Sequence, residues 1–79
     1  MSWKKYENHL EKQFVFTDFR EAMSMMVRIS FVAEEMNHHP EWSNVYNKLN
    51  IKLTTHDTGG ISEKDYELAR RIDELISKA

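Results

Sequence analysis

Three residues able to break regular structure, Pro40, Gly59 and Gly60, are all that interrupt this chain, and they constrain its fold more than any other feature. A flexible linker, a glycine-rich phosphate loop or a dinucleotide fingerprint has no room in such a sequence. Hydrophobic spacing and capping residues must therefore divide the rest. Residues 3–17 alternate best in Phe14-Val15-Phe16-Thr17 and carry Glu7-Asn8-His9 as a turn, which reads as a two-stranded hairpin. His9, with no motif around it, is expected to be a surface residue of that turn. Asp18 with Glu21 three positions later is a capping-box signature, and the apolar repeat after it predicts a helix to about Met36. Asn37 tolerates the left-handed conformation that follows a last turn, and Pro40 forces His39 towards extended backbone.

Beyond that corner, residues 43–48 and 51–56 read as two strands joined by a turn around Leu49-Asn50, with Ile51 and Leu53 facing inward. Regular alternation places His56 on the opposite face from Leu53, so His56 meets His38 only if the strand ends or twists first. Gly59-Gly60 makes the next turn. Ser62 opens the last helix with Asp65 as its capping-box partner and Ile61 and Tyr66 as its hydrophobic staple. Leu68, Ala69, Ile72, Leu75 and Ile76 form the buried face of a helix reaching about Lys78. The expected fold is α+β, a two-layer β-β-α-β-β-α chain with a four-stranded antiparallel sheet and both helices on one face.

The first helix carries two apolar stripes where packing on one small sheet requires one. Phe19, Ala22, Met23, Met26, Val27 and Ala33 form the first; Met25, Ile29, Val32 and Met36 lie beside it. The second stripe is either a widening of the core face or a surface that meets another subunit. Glu34 falls between the directions of Met23 and Val27, inside the apolar sector, where a carboxylate needs a partner. Its spacing of four from His38 makes that histidine the candidate.

At 79 residues and 41% apolar content the chain is expected to be a single domain spanning 1–79. A core this small is marginal alone, and with no cysteine it gains neither disulfides nor a thiolate zinc site. Self-association, as a homo-oligomer, is the expected remedy. Eleven basic against thirteen acidic residues, a net charge of -2, are dispersed along the chain and give no concentrated basic face for nucleic acid. No apolar run approaches the roughly 18 residues of a membrane span, and the first five residues lack a secretory signal's apolar segment. The expected location is cytoplasmic.

The chemistry gathers in Glu34-x-x-x-His38-His39-Pro40-Glu41-Trp42, followed by Tyr46, His56 and Asp65. Imidazole alone has an unperturbed pKa close to cytoplasmic pH, so it can donate a proton at one moment and accept one the next. Three readings stand: a metal site, a metal-free acid and base pair, and histidines without catalytic duty. Consecutive residues of an extended segment point to opposite sides, so His38 and His39 do not readily grip one ion. Nucleophilic catalysis is weaker still, since there is no cysteine and no serine between glycines in a strand-to-helix turn. Trp42 offers a ring for a flat ligand, or plain core. Asp65 is either a site residue or simply the helix cap.

With its seven positions spaced Glu34-x3-His38-His39-Pro40-x5-Tyr46-x9-His56-x8-Asp65, almost the whole chain resembles the pterin-4a-carbinolamine dehydratases, also known as dimerisation cofactors of a hepatic homeodomain transcription factor. Pro40-Glu41-Trp42-Ser43-Asn44-Val45-Tyr46-Asn47-Lys48 and Leu53-Thr54-Thr55-His56 are similar to the family almost word for word. The resemblance implies dehydration of 4a-hydroxytetrahydrobiopterin to quinonoid dihydropterin and water, recycling the pterin of aromatic amino acid hydroxylases, with no metal and no cofactor. It implies His38 and His56 as acid and base, His39 holding the substrate, and Glu34 binding the donor edge of the pterin or orienting His38. It also implies ligand contacts from His38 to Pro40 and from Thr55 through His56 and Asp57 to Thr58. The alternative it carries is a non-enzymatic interaction module, a dimer or tetramer. Three departures stand out: no counterpart to the helix that precedes the hairpin in mammalian members, Asn37 where an aspartate is common, and Thr58 in place of a cysteine.

Overall fold

Apolar alternation in the first segment becomes an antiparallel hairpin of β1 (Lys4–Lys5) and β2 (Leu10–Val15), in a computed structural model that describes residues 2–79. The first helix, α1 (Phe19–Met36), starts where expected. Asp18 is extended and its carboxylate accepts from the Glu21 N–H, while Glu21 reaches back to the Thr17 N–H. It stops at Asn37, whose φ of 52° and ψ of 42° are left-handed. The backbone N–H groups of Asn37 and His38 then satisfy the Glu34 and Ala33 carbonyls.

The sheet has the order β1-β2-β4-β3, with every neighbouring pair antiparallel. β3 spans Glu41–Val45 and β4 spans Lys48–Leu53, so the turn between them is Tyr46-Asn47 rather than Leu49-Asn50. Side-chain hydrogen bonds explain this turn, which has no glycine. Tyr46 takes a φ of 52°, and the Asn44 amide donates to the Tyr46 and Lys48 carbonyls. Asn47 exchanges backbone and side-chain hydrogen bonds with Phe16 at the end of β2. Leu49 thereby leaves the expected turn and joins Ile51 and Leu53 in one period-two row that is fully buried.

Helix α2 (Glu63–Ser77) begins with the complete Ser62–Asp65 capping box and buries Leu68, Ala69 and Ile72. Both helices pack on β4, giving the expected two-layer architecture. Ile29, Leu49, Ile51, Leu53, Leu68 and Ile72 form its centre, each contributing about 1.5–3 kcal/mol of burial.

The second stripe of α1 is core, and the first divides: Ala22 and Ala33 are buried and Met26 packs against the core, while Phe19, Met23 and Val27 are exposed. Met25 and Ile29 are core and Val32 and Met36 pack against it, so that row is not a surface for another subunit. The sheet takes the direction shared by Ala22, Met25, Ile29 and Ala33, which turns Phe19, Met23 and Val27 outward. Phe31, assigned to neither stripe, is 73% exposed beside them. Glu34 shares their sector, and because that sector faces solvent its carboxylate is not buried.

Candidate active site

The left-handed step at Asn37 decides where both adjacent histidines go. It turns the chain so that the His38 ring folds inward and the His39 ring stays out, with 11% and 60% of their side chains exposed. His38 Nε2 lies 2.6 Å from Asp65 Oδ1, 27 residues away at the start of α2. A carboxylate only accepts, so Nε2 is the protonated ring nitrogen. Among the described residues no buried side-chain nitrogen or oxygen lacks a partner. Nδ1 of His38, which makes no hydrogen bond, is therefore the ring atom open to the cleft.

Asp65 is the one fully buried acidic residue among those described, and the choice between cap and site dissolves in its two oxygens. Oδ1 faces His38; Oδ2 accepts from the Ser62 N–H, completing the cap, and from the Thr55 hydroxyl at 2.7 Å. The Ser62 hydroxyl lies 2.7 Å from the same Thr55 oxygen. One carboxylate thus ties together the segment after α1, the start of α2 and the segment next to His56.

His56 reaches this cluster because β4 ends at Leu53. Thr55 bridges to Gly60, and a single 3-10 turn, His56–Thr58, closes on Gly59 at a φ of 69°. Strand alternation stops there, and His56 becomes an exposed residue at the sheet end. A cleft of about 360 Å³ is lined by Asn37, His38, His39, Thr54, Thr55, His56, Asp57 and Lys64. All three candidate histidines share it. The size lies within the range of small-molecule sites.

Other candidates fall elsewhere. Glu34 pairs at 2.9 Å with His39, not with His38, because the chain leaves the helix before the i, i+4 relation can form. It braces the rim without lining the cleft. Trp42 packs against the core opposite Ile51, and neither it nor Pro40 lines the cleft. Thr58 spends its hydroxyl on the Thr55 and Gly60 carbonyls. Lys64 and Asn37 line the cleft unanticipated; Lys64 stands two residues after the α2 cap, its N–H donating to the Ser62 hydroxyl, the one local hint of its place. His9 is no plain turn residue: it stacks on Tyr6 with centroids 4.6 Å apart, bonds Glu11 at 3.1 Å and lines a groove with His56. No signal near His9 in the sequence foretells that. Among the described residues no three histidine, aspartate or glutamate side chains converge to hold a metal ion.

Known proteins resemble this chain in sequence and in fold. The chain is 50% identical over 76 residues, 96% of its length and 79% of the relative's, to a protein of Prochlorococcus marinus strain MIT 9515 that carries the pterin-4-alpha-carbinolamine dehydratase name. A protein of the same name from Opitutus terrae is 53% identical over 74 residues, 92% of this chain and 76% of its own. Among solved structures, a transcriptional coactivator/pterin dehydratase from Brucella melitensis superposes with a TM-score of 0.89 at 35% identity, covering 92% of this chain and 80% of that one. A pterin dehydratase-like protein identified as a RuBisCO assembly factor in the alpha-carboxysome shares the fold, with a TM-score of 0.76 at 21% identity over 94% of this chain and 86% of its own. With a family profile matching residues 1–75 as well, the chain belongs to the pterin 4 alpha carbinolamine dehydratase family.

Proposed function

We propose that this protein dehydrates 4a-hydroxytetrahydrobiopterin to quinonoid dihydropterin and water, with His38 and His56 as the acid and base. The observation that carries the reading is the shared cleft, which brings two imidazoles from distant parts of the chain to one small space. The ring nitrogen of the carbinolamine pushes out the neighbouring hydroxyl, which takes a proton from one imidazolium as it leaves as water. The nitrogen then loses its own proton to the other imidazole. No electrons are exchanged with a further reagent. Positioned groups of this kind contribute about 10²- to 10⁴-fold. Asp65, through Nε2, fixes the ring of His38 and leaves Nδ1 for the substrate. His39, held by Glu34 at the rim, supports the ligand from outside. Thr55 and Asp57 complete the binding surface, and Pro40 and Thr58 stand beside it in the two loops that carry the histidines. The setting for this reaction is recycling of a hydroxylase's pterin in the cytoplasm; no helix among the described residues is long and apolar enough to cross a membrane.

The test is turnover of synthetic carbinolamine without added metal. His38→Ala and His56→Ala are each expected to slow it by about 10²-fold or more with the circular dichroism spectrum preserved. Unaltered rates in both variants end the proposal.

Self-association is a second property, supported by Phe19, Met23, Val27 and Phe31, four large apolar side chains exposed in a row on α1. Val27→Glu and Phe31→Glu are expected to lower the mass measured by size-exclusion light scattering to that of one chain. A mass unchanged by both would remove this stripe from the interface.

A further inference from the structure

A second groove, of about 450 Å³, lies on the sheet side of His56, and His56 is the one residue of the seven-position motif that lines it. Tertiary structure builds it from three distant pieces: the β1–β2 turn at Asn8 and His9, the end of β4 at Lys52 and Thr54, and Glu41 at the start of β3. The Thr54 hydroxyl donates to the Asn8 carbonyl at 2.6 Å and so ties the β1–β2 turn to the end of β4. The groove adjoins the histidine cleft: Thr54, Thr55 and His56 line both.

Polar groups in this groove differ in how far they are already engaged. His9 is fixed, stacked on Tyr6 and bonded to Glu11. Lys52 stands in register with Glu11 on one side and Glu41 on the other, yet it forms no ion pair among the described residues. Glu41, exposed and likewise without an ion pair, is that neighbour on β3 and lines the same groove. A donor and an acceptor side by side match a chain of hydroxyls, because each hydroxyl both donates and accepts. Their opposite charges offset one another, so an anionic group such as phosphate gains no net attraction.

We propose that the Lys52–Glu41 groove is a subsite for a neutral hydroxylated side chain carried by the substrate's ring, and that these two residues set specificity for it. The inference rests on the dehydratase reading, with the heterocycle in the histidine cleft and its substituent passing His56 over Thr54.

The experiment compares kcat/KM for three carbinolamines bearing a dihydroxypropyl, a methyl or a phosphorylated hydroxyalkyl side chain. Wild type is expected to favour dihydroxypropyl over methyl by about tenfold, chiefly through KM, as one or two hydrogen bonds to charged groups would give. The phosphorylated substrate is expected to show no advantage over dihydroxypropyl. Lys52→Gln and Glu41→Gln, substitutions at accessible strand positions, should each pull the dihydroxypropyl-to-methyl ratio towards one. A wild-type ratio near one, a ratio unmoved in both variants, or a preference for the phosphorylated chain would overturn the subsite while leaving the dehydratase reading intact. Failure of wild type to turn over any of the three would overturn the dehydratase reading, and the subsite with it.

Discussion

His38 and His39 each meet a carboxylate, at 2.6 and 2.9 Å, but the side chains of the first pair are 11% and 0% exposed and those of the second 60% and 79%. Near-identical contacts therefore do different work. Around Asp65 two further hydrogen bonds come from Ser62 and Thr55, the carboxylate is fully buried, and the imidazole is tethered at Nε2. Around Glu34 water competes for both partners, and an exposed pair of this kind contributes about 0–1 kcal/mol. The first arrangement suits a proton donor or acceptor that must be held in place, the second an arm that adapts to a ligand. His9 and Glu11, 3.1 Å apart with 26% and 25% of their side chains exposed, lie between the two.

This grading by burial can be broken by measurement. The largest effect is expected at Asp65. Asp65→Ala removes the α2 cap and strips partners from His38 and Thr55, at a cost of about 3–5 kcal/mol in urea unfolding. Asp65→Asn, which keeps the volume, should lose less stability, yet it should lower kcat by about 10- to 100-fold and displace the pH–rate profile. An alanine variant as stable as wild type would show that the buried pair is no more structural than the exposed one.

Glu11 comes next. The Asn50 amide, and then His9, hydrogen-bond its charged form and hold its carboxyl below the usual range. A folded-state value below the unfolded one makes its contribution full above the ordinary glutamate range and lost as pH falls through the lowered value. Glu11→Gln should therefore cost about 1 kcal/mol at neutral pH and flatten the acid limb of the stability curve. A limb unchanged in slope would remove Glu11 from the series.

The smallest effect belongs to Glu34. Glu34→Gln is expected to change stability by less than about 0.5 kcal/mol and to raise KM a few-fold with kcat retained. A loss as large as that of Asp65→Asn would sharpen the comparison in the opposite sense, making the rim pair the more demanding of the two.

Much of this was legible locally. Asp18 with Glu21 and Ser62 with Asp65 mark helix starts because capping joins residues three apart, and Asn37 marks a helix end because it tolerates φ > 0. The turn at Tyr46-Asn47 carries no such local mark, because its stability comes from the side chains of Asn44 and Asn47 rather than from glycine. The row Leu49, Ile51, Leu53 carried the corrective signal, an unbroken period of two. Helix α1 was harder still. With apolar residues spread over so wide an arc, its periodicity does not say which side the sheet takes, and the buried side proved to include Met25 and Ile29.

By itself the sequence determined which elements form and the order in which they alternate, because capping, turn chemistry and hydrophobic period act over a few residues. It also determined which side chains were available for proton transfer. Tertiary structure alone decided that Asp65 holds His38, that Glu34 holds His39, that His9 and Lys52 share a groove with His56, and which face of α1 is left uncovered. Those outcomes depend on contacts between segments far apart in the chain, where burial rather than spacing settles which polar groups must find each other.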